Sequence, residues 1–204
     1  MDTMRLKQLE NQWRCYLNPT DYARIRACAE SRRAHIAIRL GGECGFRVSE
    51  TAKFKPGDIR ESTSDVDSRF VKVLGKDTTG THEDGKYRDA FMPESLYREI
   101  RKHAEEEGIE DDEELIPVTK RTTQEYIKRA AIWAGERYNV SDYELVSSHD
   151  LRAYFATHHL IRLGMKAEVI QAVGGWNDYK SMEPYLSAQF DDVISESFNE
   201  AGIA

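Results

Sequence analysis

A histidine and an arginine three residues apart form the first candidate for chemistry. His149 and Arg152 stand in "SSHDLRAYFATHHL", a segment that predicts a helix capped by Ser147 or Ser148. Residues at this spacing share a helix face, and the first turn of a helix carries the positive end of its dipole. Such a face suits an oxyanion. Taken alone, however, an H-x-x-R pair more often has a surface or structural role.

Two further cations are ambiguous by themselves. Arg47 follows a glycine turn in "CGFRVSE", where a helix-capping arginine or an ion pair with Glu50 is the ordinary interpretation. Lys76, in "VLGKD", falls where the first strand of a predicted hairpin passes into its loop. A lysine at that place is usually an exposed charge that protects a strand edge.

The stretch "GGWNDYKSMEPYLS", residues 174–187, carries two aromatic side chains with hydrogen-bonding groups, Trp176 and Tyr185. The residues around them predict a turn that is too polar to belong to the core. Both side chains are therefore available to a polar site. By contrast, Trp133 and Phe155 are expected in the core.

The elements that would position these residues are mainly helical. Asn18 as a cap, Pro19 at the first helical position and Asp21 near the positive dipole end predict a helix over 18–30. A mostly apolar helix follows in "RRAHIAIRLGGECGF", and a short one in "RVSETAKFKPGDI" stops before Pro56. Further helices are predicted over 94–107, 122–134, 149–163 and 166–173, and in a tail near 188–200.

A small sheet accompanies these helices. β-Branched and aromatic residues in "SRFVKVLGKDTT" and "GKYRDAFMP" predict a β-hairpin with a long tip between them. The sequence contains neither a Rossmann fingerprint nor a P-loop. The predicted fold class is therefore α+β, mainly α, with a small antiparallel sheet.

Length and composition limit the possible classes of protein. A chain of 204 residues can bury one substantial core, so one domain is expected. No apolar run is long enough to span a bilayer, and the start lacks the apolar region of a signal peptide, so we expect a cytoplasmic protein without membrane contact. Cys15, Cys28 and Cys44 predict reduced thiols, and His158 and His159 lack a carboxylate or thiol at ligand spacing, so no metal site is predicted.

The net charge of −7 is unevenly distributed. Residues 1–60 carry 12 Lys or Arg and 7 Asp or Glu, whereas residues 61–120 carry 9 and 17. The segment "EEEGIEDDEE", residues 105–114, supplies eight acids and no base. An acidic loop turned away from a basic face is compatible with binding a polyanion, and an acidic surface is also typical of adaptation to high salt.

Taken in order, these motifs resemble the catalytic domain of the tyrosine recombinases, the phage integrase family. The order in that family is Arg, hairpin Lys, His-x-x-Arg, His or Trp, and Tyr. This sequence has Arg47 after "GF", "GK" in the hairpin, "HDLR" near residue 150, then the Gly-Gly-Trp turn and Tyr185. The resemblance covers nearly the whole chain and implies the fold of that domain.

The resemblance implies a site-specific DNA recombinase or integrase that cuts and rejoins double-stranded DNA without a metal or nucleotide cofactor. Arg47 and Arg152 would clamp the non-bridging oxygens of the scissile phosphate, because guanidinium groups match the charge that develops there. Tyr185 would attack phosphorus to give a 3′-phosphotyrosyl link and a free 5′-hydroxyl. Lys76 would protonate the departing 5′-oxygen.

The resemblance leaves two roles less defined. His149 would accept or share the proton of the tyrosine, or hydrogen-bond the phosphate. Trp176 stands where most members have a second histidine and some have tryptophan. Its indole N–H can donate to a phosphate oxygen but cannot accept a proton, so His149 is the stronger candidate for the general base.

The helix in "VTKRTTQEYIKRAA" corresponds to one that meets the DNA major groove in the family. A threonine cap preceded by two cations presents backbone N–H groups and positive charge to a phosphate. Direct DNA contacts are therefore expected from five residues of this segment. They are Lys120, Arg121, Thr122, Lys128 and Arg129.

Both ends of the chain bear on the resemblance. Family members usually carry a separate N-terminal helical domain that closes around DNA, and here residues 1–16 are expected to be a short segment in its place, with residues 17–204 as the catalytic domain. After Tyr185 the sequence predicts a helix with an apolar stripe. The stripe either packs in cis or docks on a neighbouring subunit of a homo-tetramer on DNA. Its members are Phe190, Val193, Ile194 and Phe198.

Two other functions fit part of the pattern. A type IB topoisomerase shares the active-site arrangement but relaxes DNA without exchanging partners, and the short chain and the hairpin layout favour the recombinase. A DNA-binding regulator or inactive remnant could keep the fold. The complete set of residues argues against that alternative, whereas the missing clamp domain argues for it.

Overall fold

The computed structural model describes residues 4–8, 13–75, 86–186, 188 and 190–203. The strands β1 to β5 are Arg5–Gln8, Trp13–Tyr16, Ile59–Glu61, Arg69–Gly75 and Lys86–Met92. The helices α1 to α9 are Pro19–Ala27, Arg32–Glu43, Val48–Thr51, Glu94–Glu107, Lys120–Tyr138, Ser148–Thr157, Ala167–Gly174, Glu183–Leu186 and Asp191–Glu200. Short 3-10 turns lie at Pro56–Asp58 and Ser141–Leu145, and a π-helical turn at His158–Arg162 extends α6. The predicted α+β, mainly α class is confirmed.

Helix α1 begins as the sequence predicts. The Asn18 side chain accepts a hydrogen bond from the backbone N–H of Asp21 at 2.8 Å, and the Asp21 carboxylate accepts one from the backbone N–H of Asn18 at 3.1 Å. This reciprocal pair is a capping box, which satisfies two backbone donors at the start of the helix. The predicted helices over 94–107 and 166–173 agree with α4 and α7 to within one residue.

Helix α5 begins earlier than the sequence predicts. Its cap is Thr119, whose hydroxyl accepts a hydrogen bond from the backbone N–H of Thr122 at 3.1 Å. Lys120 and Arg121 are therefore the first residues of the helix, and the expected cap at Thr122 is wrong. The sequence is ambiguous here because a threonine at either position can cap the helix-forming run that follows.

The predicted hairpin is confirmed and gains a third strand. β4 pairs with β5 in an antiparallel register that places Val73 opposite Arg88, and β3 pairs with the other edge of β4. Side chains alternate across the sheet, and Val71, Val73 and Ala90 face the interior. The predicted tip of the hairpin, including Lys76, lies outside the described residues.

An N-terminal hairpin was not predicted. β1 and β2 pair antiparallel from Arg5 opposite Tyr16 to Gln8 opposite Trp13. Met4 and Cys15 are buried in a cluster with α1, α2 and α5. The described part of the segment 1–16 is therefore packed on the same core as the rest of the chain.

The described residues form three apolar clusters, and α2 joins two of them. Ile36 and Leu40 of α2 pack with the sheet and α4, whereas Ile38 packs with α1 and α5. The third cluster lies beneath α7 and α8 and contains Phe155, as expected. Trp133 was expected in the core as well, but its side chain is 41% exposed on α5.

The first acids of the segment 105–114 lie at one end of α2. Glu106 and Glu107 pair with Arg32 and Arg33, which open that helix. The glycine turn before Arg47 follows the other end, and the 12 residues between correspond to about 18 Å of helix. Glu106 and Glu107 are thus paired within the chain, at the end of α2 that lies away from the glycine turn. Among the residues that the structure describes, no helix is both long and apolar enough to cross a membrane.

Candidate active site

Arg152 is the buried centre of the candidate site. The start of α6 is fixed by Asp150, whose carboxylate accepts hydrogen bonds from the Ser147 backbone and hydroxyl at 2.8 and 2.7 Å. One turn later the Arg152 side chain is only 6% exposed, and its Nη1 donates to the carbonyl of Gly45. Its Nη2 is buried and finds no hydrogen-bond acceptor within the described ranges. A buried guanidinium with an unused donor is equipped to bind an oxyanion.

Arg47 reaches the same region from the other side of the glycine turn. Its Nη2 donates to the carbonyl of Gly175 at 3.2 Å. Its Nη1 pairs with Glu50 at 2.8 Å, and the Glu50 carboxylate also accepts the backbone N–H of Arg47 at 2.7 Å. The ordinary interpretation of Arg47, an ion pair with Glu50, is thus also present. Its side chain remains 37% exposed, so an external anion can reach it.

A third arginine, Arg88, was missed by the sequence analysis. It lies on β5 and binds both carboxylate oxygens of Glu50, at 2.8 and 2.9 Å, while its Nε donates to the carbonyl of Val173 at 3.0 Å. Its side chain is 6% exposed. The strand pattern held a signal, since Arg88 alternates with exposed Tyr87 and Asp89 and therefore points inward.

The charges in this cluster do not balance. Burial, and then repulsion from Arg47 and Arg88, lower the pKa of Arg152 to about 9, so it stays protonated at neutral pH. Burial would raise the pKa of Glu50, but the hydrogen bonds and charge of Arg88, with those of Arg47, lower it below its ordinary value. Three guanidinium groups thus face one ionised carboxylate in the described part of the site, which leaves positive charge for a phosphate.

Trp176 is buried, which corrects the expectation that its stretch is too polar for the core. Its side chain is 9% exposed and packs with Phe155 and the fully buried Met182 in the third cluster. Its ring centroid lies 4.0 Å from the guanidinium carbon of Arg152. The neighbours of Trp176 in the sequence are polar, but the chain folds back so that Trp176 packs on α6. The composition of the local sequence does not predict this packing.

The two glycines before Trp176 let the chain make this return. Gly175 has φ +70°, the left-handed conformation that ends α7. A Cβ at Gly175 would lie 2.4 Å from Cδ of Arg88, and one at Gly174 would lie 1.8 Å from the Trp176 ring. The positive φ and both close approaches require glycine.

Tyr185 lies on the single turn of α8 beside Trp176. The two ring centroids are 5.5 Å apart with an interplanar angle of 62°. The guanidinium carbon of Arg14 lies 5.7 Å from the Tyr185 ring centroid, a contact that sequence reasoning did not anticipate. Tyr185 is half-buried.

The structure therefore brings together four of the six predicted catalytic residues: Arg47, Arg152, Trp176 and Tyr185. His149 is exposed in the first turn of α6, one turn before Arg152. A cleft of about 530 Å³ opens along Arg47, Gly175 and Trp176 and continues along the sheet. The positive charge of this region suits a phosphate, and the Tyr185 ring lies beside that of Trp176.

The residues predicted to contact DNA lie along α5. Lys120 and Arg121 are exposed, and Arg121 makes a surface pair with Glu125 at 3.0 Å. The backbone N–H of Thr122 already bonds to Thr119 and so is not available to a phosphate.

The two cations further along α5 have partners within the chain. Lys128 donates to the carbonyl of Glu144, and Arg129 pairs with Glu30. In ranges 4–8, 13–75, 86–186 and 190–203, no three His, Cys, Asp or Glu side chains are grouped as a metal site requires.

Comparisons with known proteins identify relatives of this arrangement. The sequence profile described as the phage integrase family matches residues 16–191. The sequence is 27% identical over 154 residues to tyrosine recombinase XerA of Thermococcus kodakarensis, an alignment that covers 76% of this chain and 50% of that protein.

Solved structures share the fold. A crystal structure of XerA recombinase superposes with a TM-score of 0.72 at 20% identity, covering 96% of this chain and 66% of the other. A lambda integrase dimer bound to a COC′ core site gives 0.63 at 18% identity, covering 91% and 51%. XerH recombinase bound to a difH substrate after cleavage gives 0.65 at 16% identity, covering 92% and 51%. The chain spans between one half and two thirds of the length of these relatives.

Proposed function

Because the chain belongs to the phage integrase family, we propose that it cleaves and rejoins duplex DNA as a site-specific tyrosine recombinase. Residues 17–204 form the catalytic domain in this proposal. One observation carries it: Arg152, Trp176 and Tyr185 come from separate segments and meet beside Arg47. The surplus of guanidinium charge and the adjacent phenol are what a phosphoryl transfer to tyrosine requires.

The first chemical step forms one bond and breaks another. The Tyr185 oxygen attacks phosphorus, a 3′-phosphotyrosyl ester forms, and the bond from phosphorus to the 5′-oxygen breaks. Arg47 and Arg152 neutralise the non-bridging oxygens, with the unused Nη2 of Arg152 as one donor. The Trp176 indole N–H is a further donor. His149 is the candidate acceptor for the phenolic proton, and Lys76 the candidate donor to the 5′-oxygen.

The ester conserves the energy of the phosphodiester. Attack by a 5′-hydroxyl from another strand therefore reverses the step and reseals DNA without ATP. The charge that the site needs is supplied by arginines, so the proposal includes no metal or nucleotide cofactor. A chelator should leave cleavage intact, and loss of cleavage in EDTA would contradict this part of the mechanism.

We further propose that the enzyme works as a homo-tetramer on DNA. Helix α9 is anchored in cis at its start, where Phe190 is buried and Asp192 pairs with Arg162. Beyond that point its apolar stripe is open, since Ile194 and Phe198 are 41% and 52% exposed. A neighbouring subunit is the occupant that this proposal assigns to the stripe. A DNA-cutting enzyme needs access to DNA, so the proposal also includes a cytoplasmic location.

The test separates binding from cleavage. Tyr185→Phe protein selects bound sites from a random duplex library, because it can bind without cutting. Those sites are then made as nicked suicide duplexes and incubated with wild-type protein and with the variant. A covalent adduct on a denaturing gel is expected for wild type alone. Absence of an adduct, or equal adduct with Tyr185→Phe, would refute the proposal, and relaxation of plasmids that lack a selected site would favour a topoisomerase.

A further inference from the structure

We propose that the β1–β2 hairpin positions the tyrosine-bearing helix α8, with Arg14 and Tyr16 as the positioning residues. The inference rests on the proposed function, since it assigns these residues to orienting Tyr185. The phage integrase profile begins at residue 16, so nearly all of the hairpin lies outside the family match.

Helix α8 needs support from outside itself. It contains only four residues, Glu183–Leu186, and none of them is buried. One helical turn is unstable alone, because its ordering is not offset by enough hydrogen bonds. The orientation of Tyr185 must therefore be fixed by contacts from other elements.

Tyr16 supplies the most direct of these contacts. Its hydroxyl donates to the carbonyl of Pro184, the residue before Tyr185, at 3.1 Å. Its ring packs edge-to-face on Phe190, with centroids 6.5 Å apart. Tyr16 is itself 6% exposed, so it offers a fixed anchor. The Tyr16 side chain thus contacts one residue before Tyr185 in the sequence and one residue after it.

Arg14 contacts the aromatic ring of Tyr185. Residues two apart on a strand share a face, so Arg14 and Tyr16 both project toward α8. The distance of 5.7 Å from the Arg14 guanidinium carbon to the Tyr185 ring centroid lies within the range of about 6 Å for a cation–π contact. Between them, the backbone N–H of Cys15 donates to Asp150 at 3.0 Å. Since Asp150 also fixes the start of α6, the hairpin ties the tyrosine to the helix that carries Arg152.

The first test removes the Tyr16 hydroxyl alone. Tyr16→Phe should lower the single-turnover cleavage rate at saturating DNA about tenfold, the effect of one ordinary hydrogen bond. DNA affinity should not change. Tyr143→Phe is the matched control, because it also loses a buried hydrogen bond, to Asp21 at 2.6 Å, away from the site. The control should lower thermal stability and leave the cleavage rate unchanged, and equal rates in the two variants would overturn the proposal.

The second test addresses Arg14. Arg14→Gln should slow cleavage at saturating DNA, and Arg14→Lys should restore part of the rate because it keeps the cation. Arg24→Gln is the control, since Arg24 lies 4.9 Å from the ring of Tyr138 in a comparable contact. If Arg14→Gln weakens DNA binding while the saturated rate is unchanged, Arg14 is a DNA contact and the proposal fails for that residue.

A third measurement needs no DNA and no activity. Amide hydrogen exchange over residues 183–186 should be faster in Tyr16→Phe than in wild type, and unchanged in Tyr143→Phe. Unchanged exchange in Tyr16→Phe would overturn the positioning role even if cleavage occurs. If wild type forms no covalent adduct but exchange responds as expected, the recombinase proposal fails and the hairpin contact stands.

Discussion

The guanidinium carbon of Arg152 lies 4.0 Å from the centroid of the Trp176 ring. Phe155, one turn further along α6, stacks on the same indole, with centroids 6.4 Å apart and an interplanar angle of 12°. Trp176 is thereby held by two residues of one helix. The arrangement explains how a buried, positively charged side chain is kept in one orientation although no carboxylate of the described residues is bonded directly to it.

Two replacements of Trp176 should separate the contribution of its N–H donor to cleavage from that of its volume. Trp176→His keeps an N–H donor and loses volume, whereas Trp176→Phe keeps an aromatic ring and loses the donor. We expect Trp176→His to cleave suicide DNA faster than Trp176→Phe even where its thermal stability is no higher. Equal cleavage rates in the two variants would mean that the indole hydrogen bond is unimportant and that Trp176 acts through packing alone.

The buried position of Arg152 should lower the free energy of unfolding. It is buried and repelled by Arg47 and Arg88, which is why its pKa falls to about 9. Arg152→Met should abolish cleavage and raise the free energy of unfolding by about 1 kcal/mol. Exposed Arg98 provides the control, since Arg98→Met should change stability by less than about 0.5 kcal/mol in urea unfolding. A clear loss of stability in Arg152→Met would contradict this account.

Inorganic phosphate should stabilise the folded protein, because its negative charge offsets the repulsion between Arg152, Arg47 and Arg88. An anion that binds the folded state alone raises the melting temperature with its concentration. We expect phosphate to raise the melting temperature of wild type at constant ionic strength, and to lose most of this effect in Arg152→Met. Scanning calorimetry with chloride as the balancing anion measures this difference. An equal rise in both proteins would place the anion elsewhere.

Arg88 should contribute more to the free energy of unfolding than Arg60, which lies on the exposed face of the sheet. Arg88→Met leaves Glu50 buried without its bidentate partner, which should cost about 3–5 kcal/mol of unfolding free energy. Arg60 pairs with Asp89 on the exposed face, and Arg60→Met should cost less than about 1 kcal/mol. Urea unfolding measures both. Similar costs would show that the Glu50 ion pair is not coupled to the fold.

Glu50 should also contribute to acid sensitivity. Its folded-state pKa is lowered, so the ionised form stabilises the fold above the unfolded-state pKa of about 4.3, and this contribution is lost as pH falls through the folded value. Glu50→Gln should therefore show a shallower loss of unfolding free energy below about pH 4.3. Exposed Glu168→Gln should keep the wild-type slope. An unchanged slope in Glu50→Gln would contradict the assignment.

The open stripe of α9 should act between subunits. Ile194→Ser combined with Phe198→Ser should reduce assembly on DNA, measured by light scattering, and leave cleavage of a single half-site unchanged. Val66→Ser is the control, because Val66 is 67% exposed and lies outside α9. If the double variant unfolds at a lower temperature and assembles normally, the stripe packs in cis.

The fold class, most helix positions and the residue types of the candidate site could be predicted from the sequence. Local signals suffice for these features: the capping box at Asn18, the hairpin alternation and the ordered motifs from Arg47 to Tyr185 depend on neighbours in the chain. Boundaries were less certain, as the cap of α5 illustrates. Thr119 and Thr122 each carry a hydroxyl that can cap this helix, and the residues next to them do not favour one over the other.

The contacts that hold these residues in place depend on tertiary packing. Arg88 joins the site because β5 pairs with β4 and packs on α7, and Trp176 becomes core because Gly175 turns the chain back over α6. The contacts of Arg14 and Tyr16 with α8 join residues about 170 positions apart. Such pairings depend on which surfaces are buried together, and short-range patterns of residue type do not encode that choice.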